Sequence, residues 1–294
     1  MRIGRHMPTN SKMVKAAAIA HDIGCEAIQI FASNPTGWRP PRDDPRGCAA
    51  FVEATHTYNL VPVVLHAPYL INLASPDDLI WEKSVTLLTW TMQRGTQLGA
   101  QFVVFHTGSH RGSGVEAGIA RIAQGIERIL RDTQRADAPL LLLENDVGAG
   151  DSLGHSFEQL ATILALFPHE RERLGVCLDT AHLWGAGHDI SSAASARQVL
   201  HHFAQSVGLE RLKVIHLNDT AKALGSHRDV HTRLGEGIIG KEGLRALLSD
   251  PRLDHAAVIL ETPIKTGDDH KEDWQHDAEQ IAKAKRLLTS EAIL

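Results

Sequence analysis

Leu140-Leu141-Leu142-Leu143-Glu144 is the stretch from which the fold can be read. A short, wholly apolar run reads as a strand buried on both faces, and the glutamate puts one carboxylate at its C-terminal edge. The same pattern recurs on either side. Upstream, Val61-Pro62-Val63-Val64-Leu65 ends on His66, and Phe102-Val103-Val104-Phe105 ends on His106. Downstream, Val176-Cys177-Leu178 ends on Asp179, Leu212-Lys213-Val214-Ile215 on His216, and Ala257-Val258-Ile259-Leu260 on Glu261. Six strands built this way aim six metal-binding side chains at one edge of a sheet.

Two further strand-like runs, Arg2-Ile3-Gly4-Arg5-His6 and Ala27-Ile28-Gln29-Ile30-Phe31, bring the number to eight. The six terminal groups are 40, 38, 35, 37 and 45 positions apart, room for a loop, an amphipathic helix and a return turn. Helices are expected over Trp81 to Leu98, Glu116 to Arg131, Phe157 to Phe167 and Arg197 to Val207, with a closing helix over Asp277 to Leu288. Gly99, Gly175 and Gly208 are expected to mark helix-to-strand returns. This alternation predicts an α/β fold, a single (β/α)8 TIM barrel over residues 1–294, with its active site at the C-terminal ends of the strands. A doubly wound open sheet is the alternative, but no Gly-x-Gly-x-x-Gly follows the first strand. No linker-like composition break suggests a domain boundary.

Composition narrows the function classes. With 43% hydrophobic and 22% charged residues, the chain has an ordinary globular make-up. The first residues have no apolar stretch behind them to read as a secretory signal, and no run approaches the ~18 apolar residues of a membrane span. Three widely spaced cysteines, Cys25, Cys48 and Cys177, fit a reducing, cytoplasmic setting and offer no thiolate metal motif. A net charge of −5 and a pI near 6.4 argue against generic polyanion binding. Three divalent ions would add six positive charges, moving that balance to +1 and concentrating the change in one cleft.

Just beyond the strand ends stand His182, three residues after Asp179, and the alternating pair Asp229 and His231. The candidate metal ligands are therefore His66, His106, Glu144, Asp179, His182, His216, Asp229, His231 and Glu261. Imidazole with carboxylate and no thiolate suits zinc, manganese or iron. Nine ligands exceed the needs of one tetrahedral ion and fit two or three. Clustered divalent ions activate water and hold the oxygens of a phosphoryl displacement, so no serine or cysteine nucleophile is required. The chain offers no Gly-x-Ser-x-Gly elbow and no Walker loop.

These segments carry a resemblance. His66-Ala67-Pro68-Tyr69-Leu70-Ile71-Asn72-Leu73-Ala74, Phe105-His106-Thr107-Gly108-Ser109-His110 and Leu143-Glu144-Asn145 are similar to motifs of the endonuclease IV family. So are Gly175-Val176-Cys177-Leu178-Asp179-Thr180-Ala181-His182, His216-Leu217-Asn218-Asp219, Leu234-Gly235-Glu236-Gly237-Ile238-Ile239-Gly240 and Leu260-Glu261-Thr262-Pro263. The similarity runs from about Ile3 to beyond Glu261. It implies a zinc-dependent DNA repair endonuclease with three zinc ions, for which manganese substitutes. By position, one ion resembles a site of His66, His106 and Glu144, and a second a site of Glu144, Asp179, His216 and Glu261. The third resembles a site of His182, Asp229 and His231. Glu144, bridging the first two ions, and Glu261 are the implied catalytic residues. The implied reaction cuts duplex DNA 5′ to abasic sites, leaving a 3′-hydroxyl and a 5′-deoxyribose phosphate, and trims blocked 3′ ends. The abasic nucleotide would be flipped out of the stack. No membrane or obligate protein partner is implied, and a monomer is expected.

Tyr69 matches a family residue that inserts into the bent duplex, and is otherwise a loop anchor. Trp38 is either a DNA contact or core packing, and Arg39, Arg111 and Arg233 are the candidate phosphate contacts. Several positions depart from the family pattern. Thr36 or Gly37 stands where a basic residue is common, Val230 where arginine is usual, and Thr9-Asn10-Ser11 where a glycine pair is common. Ala181 and Trp184-Gly185 also differ, and none of these changes removes a ligand. Cys177 reads as a small buried apolar residue. His6 and His110 are candidates for orienting ligands, while His201, His202, His255, His270 and His276 read as solvated. Two rival functions are a one-ion sugar isomerase or epimerase on a related barrel, and a damage-binding protein that does not cut.

Overall fold

The computed structural model describes residues 1–9, 12–263 and 273–288. Eight parallel strands close into a barrel in sequence order. They are β1 (Arg2–His6), β2 (Ala27–Phe31), β3 (Val63–His66), β4 (Phe102–His106), β5 (Leu140–Glu144), β6 (Leu174–Asp179), β7 (Leu212–His216) and β8 (Ala257–Leu260). Closure is direct, with Arg2 opposite Ala257 and Arg5 opposite Leu260 across the β1–β8 seam. The open-sheet alternative is thereby excluded.

Successive strand residues face opposite sides. The outward set, including Ile28, Leu65, Phe105, Leu143, Ile215 and Val258, packs beneath the helices in the larger core. The inward set forms a separate apolar plug of Ala27, Val64, Val104, Leu142, Cys177, Val214 and Ile259. Two residues further along each strand lies the next inward position. There stand Gln29, His66, His106, Glu144, Asp179, His216 and Glu261, with His6 at the same level on β1. The plug thus floors a ring of eight polar side chains, one from each strand.

Nine helices among the described residues surround or cap the barrel: α1 (Met13–Asp22), α2 (Pro45–Thr57), α3 (Asp78–Gln97), α4 (Val115–Asp132) and α5 (Phe157–Ala165), then α6 (Thr180–Gly185), α7 (Ala193–Ser206), α8 (Lys241–Leu248) and α9 (Trp274–Leu288). The expected helices are present with shifted ends, for local reasons. Asp77 caps α3 by accepting from the amides of Leu79 and Ile80, so the helix starts before Trp81. A Ser192/Ser195 capping box starts α7 ahead of Arg197. Gly99 and Gly208 adopt φ of +63° and +94°, as return turns require. Gly175 does not mark a return. It lies inside β6, where an added Cβ would fall 2.8 Å from Leu142 Cδ2 and 2.9 Å from the Arg211 carbonyl. No helix among the described residues is long and apolar enough to cross a membrane. The expectations placed on Asn10, Ser11 and His270 lie outside the described residues.

Candidate metal centre

Glu144 is the hub of the ring and is almost wholly buried. Its Oε2 lies 3.2 Å from His66 Nε2 and 3.6 Å from His106 Nε2. Its Oε1 lies 2.9 Å from His216 Nδ1 and 3.7 Å from His182 Nδ1. Glu261, one residue past β8, brings Oε2 to 3.3 Å from His216 Nδ1. Asp179 caps α6 by accepting from the His182 amide, so the strand end and the helix start fix each other. From the loop after β7, Asp229 Oδ1 sits 3.2 Å from His182 Nε2 and 3.1 Å from His231 Nε2. His231 Nε2 is also 3.5 Å from Asp179 Oδ2.

All nine sequence-predicted ligand positions therefore converge. Donor atoms lie within 4.8 Å of one another in the groups His66/His106/Glu144, Glu144/Asp179/His216/Glu261 and Asp179/His182/His231. Asp179 stands in two groups and takes the place expected of Asp229 in the third, while Asp229, half exposed, meets His182 and His231 from the rim. Glu144, Cys177 and His216 meet the same distance condition. Cys177 belongs to the apolar plug, and burial pushes its thiol up to about 12.

Neighbouring groups orient these donors. His66 Nδ1 faces its neighbour Ala67's carbonyl at 2.7 Å, and His182 Nδ1 faces the Asn145 carbonyl at 2.9 Å. A carbonyl only accepts, so each Nδ1 carries a proton and each Nε2 is the nitrogen turned to the centre. Asn145 also takes the Asp179 amide on its side-chain oxygen, and Asn218 donates to Asp179 Oδ2 at 2.6 Å while accepting from the Glu261 amide. Gln29, Asn145 and Asn218 were not anticipated. Asn145 and Asn218 lie inside the quoted segments Leu143-Glu144-Asn145 and His216-Leu217-Asn218-Asp219, which is the signal that was available; Gln29 carried none.

The charges suit a cation. Burial alone would raise the Glu144 carboxyl, but His106, His216 and His66 hold it well below the usual carboxylate range. Burial also works against Asp229, yet its bonds from His182 and His231 pull it far down. Burial would lower His231, but Asp179 and Asp229 raise it to about 9. Protons on imidazoles thus balance the carboxylates where a divalent ion would otherwise do so. The buried Nε2 atoms of His182 and His231 both turn to the single oxygen Asp229 Oδ1, at 3.2 and 3.1 Å. Imidazole nitrogens and carboxylate oxygens crowded this closely in a buried pocket fit a metal site.

The other predicted contacts fall at different places on this face. Tyr69 is 58% exposed, its ring edge-on to Phe31 with centroids 5.2 Å apart. Trp38 is half-buried against the core, with Lys83 Nζ 5.9 Å from its ring centre. Arg39 and Arg111 are exposed, whereas Arg233 is half-buried, 3.8 Å from Glu236. His6 does meet the ligand ring, through Gln29 at 2.9 Å and Glu261 at 3.5 Å. His110 instead accepts from the Gly114 amide and serves its own loop. His201, His202 and His255 are exposed, but His276 is half-buried, 3.6 Å from Glu279, because α9 begins before it. Beside His6 opens a cavity of about 1220 Å³ whose cationic lining is Lys12, Arg42, Arg46 and Arg94.

Comparison with known proteins gives a consistent result. Residues 17–285 match the family described as a xylose isomerase-like TIM barrel. The chain is 43% identical over 269 residues to a probable endonuclease 4 of Natranaerobius thermophilus, covering 92% of this chain and 93% of that one. It is 38% identical over 285 residues to a probable endonuclease 4 of Methanoculleus marisnigri, covering 97% and 98%. The crystal structure of endonuclease IV from Thermus thermophilus superposes with a TM-score of 0.83 at 36% identity, over 98% of this chain and 99% of that one. A D-tagatose 3-epimerase-like protein, at 18% identity and a TM-score of 0.69, shares the fold.

Proposed function

The chain belongs to the endonuclease IV family, AP endonuclease family 2, and from that membership we propose how its buried centre and exposed rim divide the work. It is an endonuclease IV, a phosphodiester-cleaving enzyme of base-excision DNA repair. The proposed reaction is incision 5′ to an abasic deoxyribose in duplex DNA, leaving a 3′-hydroxyl and a 5′-deoxyribose phosphate, with trimming of blocked 3′ ends. The proposed cofactor is a set of three zinc ions, replaceable by manganese. His66, His106 and Glu144 would hold one, Glu144, Asp179, His216 and Glu261 the second, and His182, Asp229 and His231 the third, with Asp179 close by.

The observation that carries this reading is the environment of Glu144, whose two oxygens face histidines from different strands and so suit a bridge between cations. Ions held by these residues would supply positive charge to water and to the phosphate oxygens. The protein's part is orientation and exclusion. The backbone carbonyls of Ala67 and Asn145 fix which nitrogen of His66 and His182 is turned to the centre. The apolar plug keeps solvent from below the centre. Tyr69 stands out beside His66, their rings 5.7 Å apart, placed to meet the duplex. Lys12, Arg42 and Arg46 line the neighbouring cavity and suit backbone phosphates, compensating for the uncharged Thr36 and Gly37 at the loop tip. Arg39 and Arg111 extend that face, while Arg233 is directed to Glu236. A one-ion isomerase reading uses only the four-residue group and leaves His182, Asp229 and His231 without a task.

The test is incision of an abasic-site oligonucleotide with and without chelator, alongside elemental analysis. The expected result is three zinc ions per chain and cleavage that chelation abolishes and zinc restores. One ion per chain after zinc supplementation, with no cleavage, overturns the reading.

A further inference from the structure

Gln29 is fully buried and holds three members of the ring at once. Its Nε2 is 2.6 Å from Glu261 Oε1 and 2.9 Å from His6 Nδ1, and its Oε1 is 2.9 Å from His216 Nε2. The carboxylate oxygen can only accept, so the amide nitrogen faces Glu261 and the amide oxygen faces His216. Each amide hydrogen then has one acceptor. His216 must carry its proton on Nε2 to donate to that oxygen. Its Nδ1 is then the nitrogen turned to the carboxylates of the site, 2.9 Å from Glu144 Oε1 and 3.3 Å from Glu261 Oε2, and the one that would give its lone pair to a bound cation. The same side chain engages Glu261 Oε1 and so leaves Oε2 as the atom turned to His216.

We propose that Gln29 is a positioning residue that sets both the His216 tautomer and the Glu261 carboxylate for the four-residue cation site, and thereby its affinity. It touches none of the reacting atoms. The period of β2 puts it there: Ala27 belongs to the plug, and the next inward side chain must reach across the mouth of the barrel. An amide suits the position because it accepts at one end and donates at the other. A carboxylate, an imidazole or a hydroxyl meets only part of that demand. The other two ligand groups do not touch Gln29, so the effect is confined to one site. The proposal rests on the metal-centre reading above.

The experiment compares wild type with Gln29→Met, which keeps much of the volume and loses all three hydrogen bonds. Zinc is titrated into each metal-stripped protein against a competing chelator, and the His216 Nε2–H signal is followed by NMR on histidine-labelled, zinc-loaded protein. Expected is a loss of about 10–100-fold at one zinc site, the usual reach of a group that orients a ligand. The other sites and the melting temperature of the stripped protein hold, and the His216 proton loses its protection from exchange. Unchanged zinc affinities, or an equal fall at all sites, overturns the proposal. If Gln29→Met does not fold, Gln29→Glu carries the test. It keeps the acceptor for His216 and removes the donor to Glu261, so the proton signal stays while one site weakens. Unchanged affinity in that variant is equally fatal. Wild type that binds no zinc at this site refutes the metal-centre reading itself, a result visible before any variant is made.

Discussion

Glu261 shows how narrowly one side chain is specified. Its carboxylate accepts from Gln29 on one oxygen and faces His216 Nδ1 with the other. An amide there turns a donor toward Gln29 Nε2 or toward the cluster, and removes a negative charge in either orientation. Glu261→Gln is expected to lower incision of an abasic oligonucleotide at least ~100-fold. Duplex binding, measured by fluorescence anisotropy, should change little because the exposed rim is untouched. Wild-type turnover would show that Glu261 is misassigned. The histidines give a second expectation, for the metal-stripped protein. His231 is raised to about 9 in the fold, against about 6.5 for an unperturbed imidazole. Its protonated form therefore stabilises the folded state fully below about pH 6.5, and the contribution fades as pH rises through about 9. His182 is raised in the same sense. The melting temperature after chelation should fall between pH 6.5 and 9, and His231→Asn should flatten the decline. A flat wild-type profile would contradict it. Six ligands were legible because each terminates an apolar run, and His182, Asp229 and His231 because they follow close behind such runs or alternate in one loop. Gln29 was not, since glutamine in a strand reads as a surface residue and its ligand partners His216 and Glu261 are 187 and 232 positions away.

Elements turn these side chains into a site, and the loop from Asn218 to Gly240 does so without regular structure over most of its length. Its organiser is Asp219, fully buried, which accepts from the amides of Thr220, Gly235, Gly237 and Ile239 at 2.9 to 3.2 Å. A carboxylate that gathers four amides ties the two ends of the loop together, and Asp229 and His231 are carried between them. Gly237 is required by the closeness of this arrangement. A Cβ there would lie 2.2 Å from Asp219 Oδ1 and 2.5 Å from the Thr220 carbonyl. Gly237→Ala is expected to destabilise the fold by about 1–3 kcal/mol, as overpacking does, and to reduce zinc content. Denaturant unfolding and elemental analysis read the two effects, and a variant with native stability and full zinc would remove Asp219's organising role. The motif Leu234 to Gly240 was legible as a unit, but not its attachment to Asp219. Helix ends were the weaker part of the sequence reading for a related reason: Asp77 and Ser192 lie outside the apolar periodicity and act through single side-chain bonds.

At the scale of the whole molecule, everything depends on closing the sheet. The alternation of strands and helices was legible, yet an open sheet has the same alternation, and only the β1–β8 pairing decides between them. That seam has its own lock. Arg5, on the outer side of β1, donates to the Thr262 hydroxyl at 2.8 Å and its carbonyl at 2.9 Å, and meets Asp277 of α9 at 3.0 Å. First strand, last strand exit and last helix are joined through one guanidinium, and both charged side chains are almost fully buried. Burial pushes the Arg5 guanidinium down and the Asp277 carboxyl up, each against the pull of its partner. The intact pair is therefore a small net source of stability, but breaking it strands a buried charge. Asp277→Ala is expected to cost about 3–5 kcal/mol and to lower the melting temperature by roughly 10 °C, at about 2–4 °C per kcal/mol in a chain of this order of size. The double variant Arg5→Met/Asp277→Leu removes both charges and should recover most of the loss, because no unpaired ion remains. Calorimetry on the zinc-loaded protein separates the cases. Equal destabilisation in single and double variants would mean that the seam is held by shape alone, and that the ion pair has no part in closing the barrel.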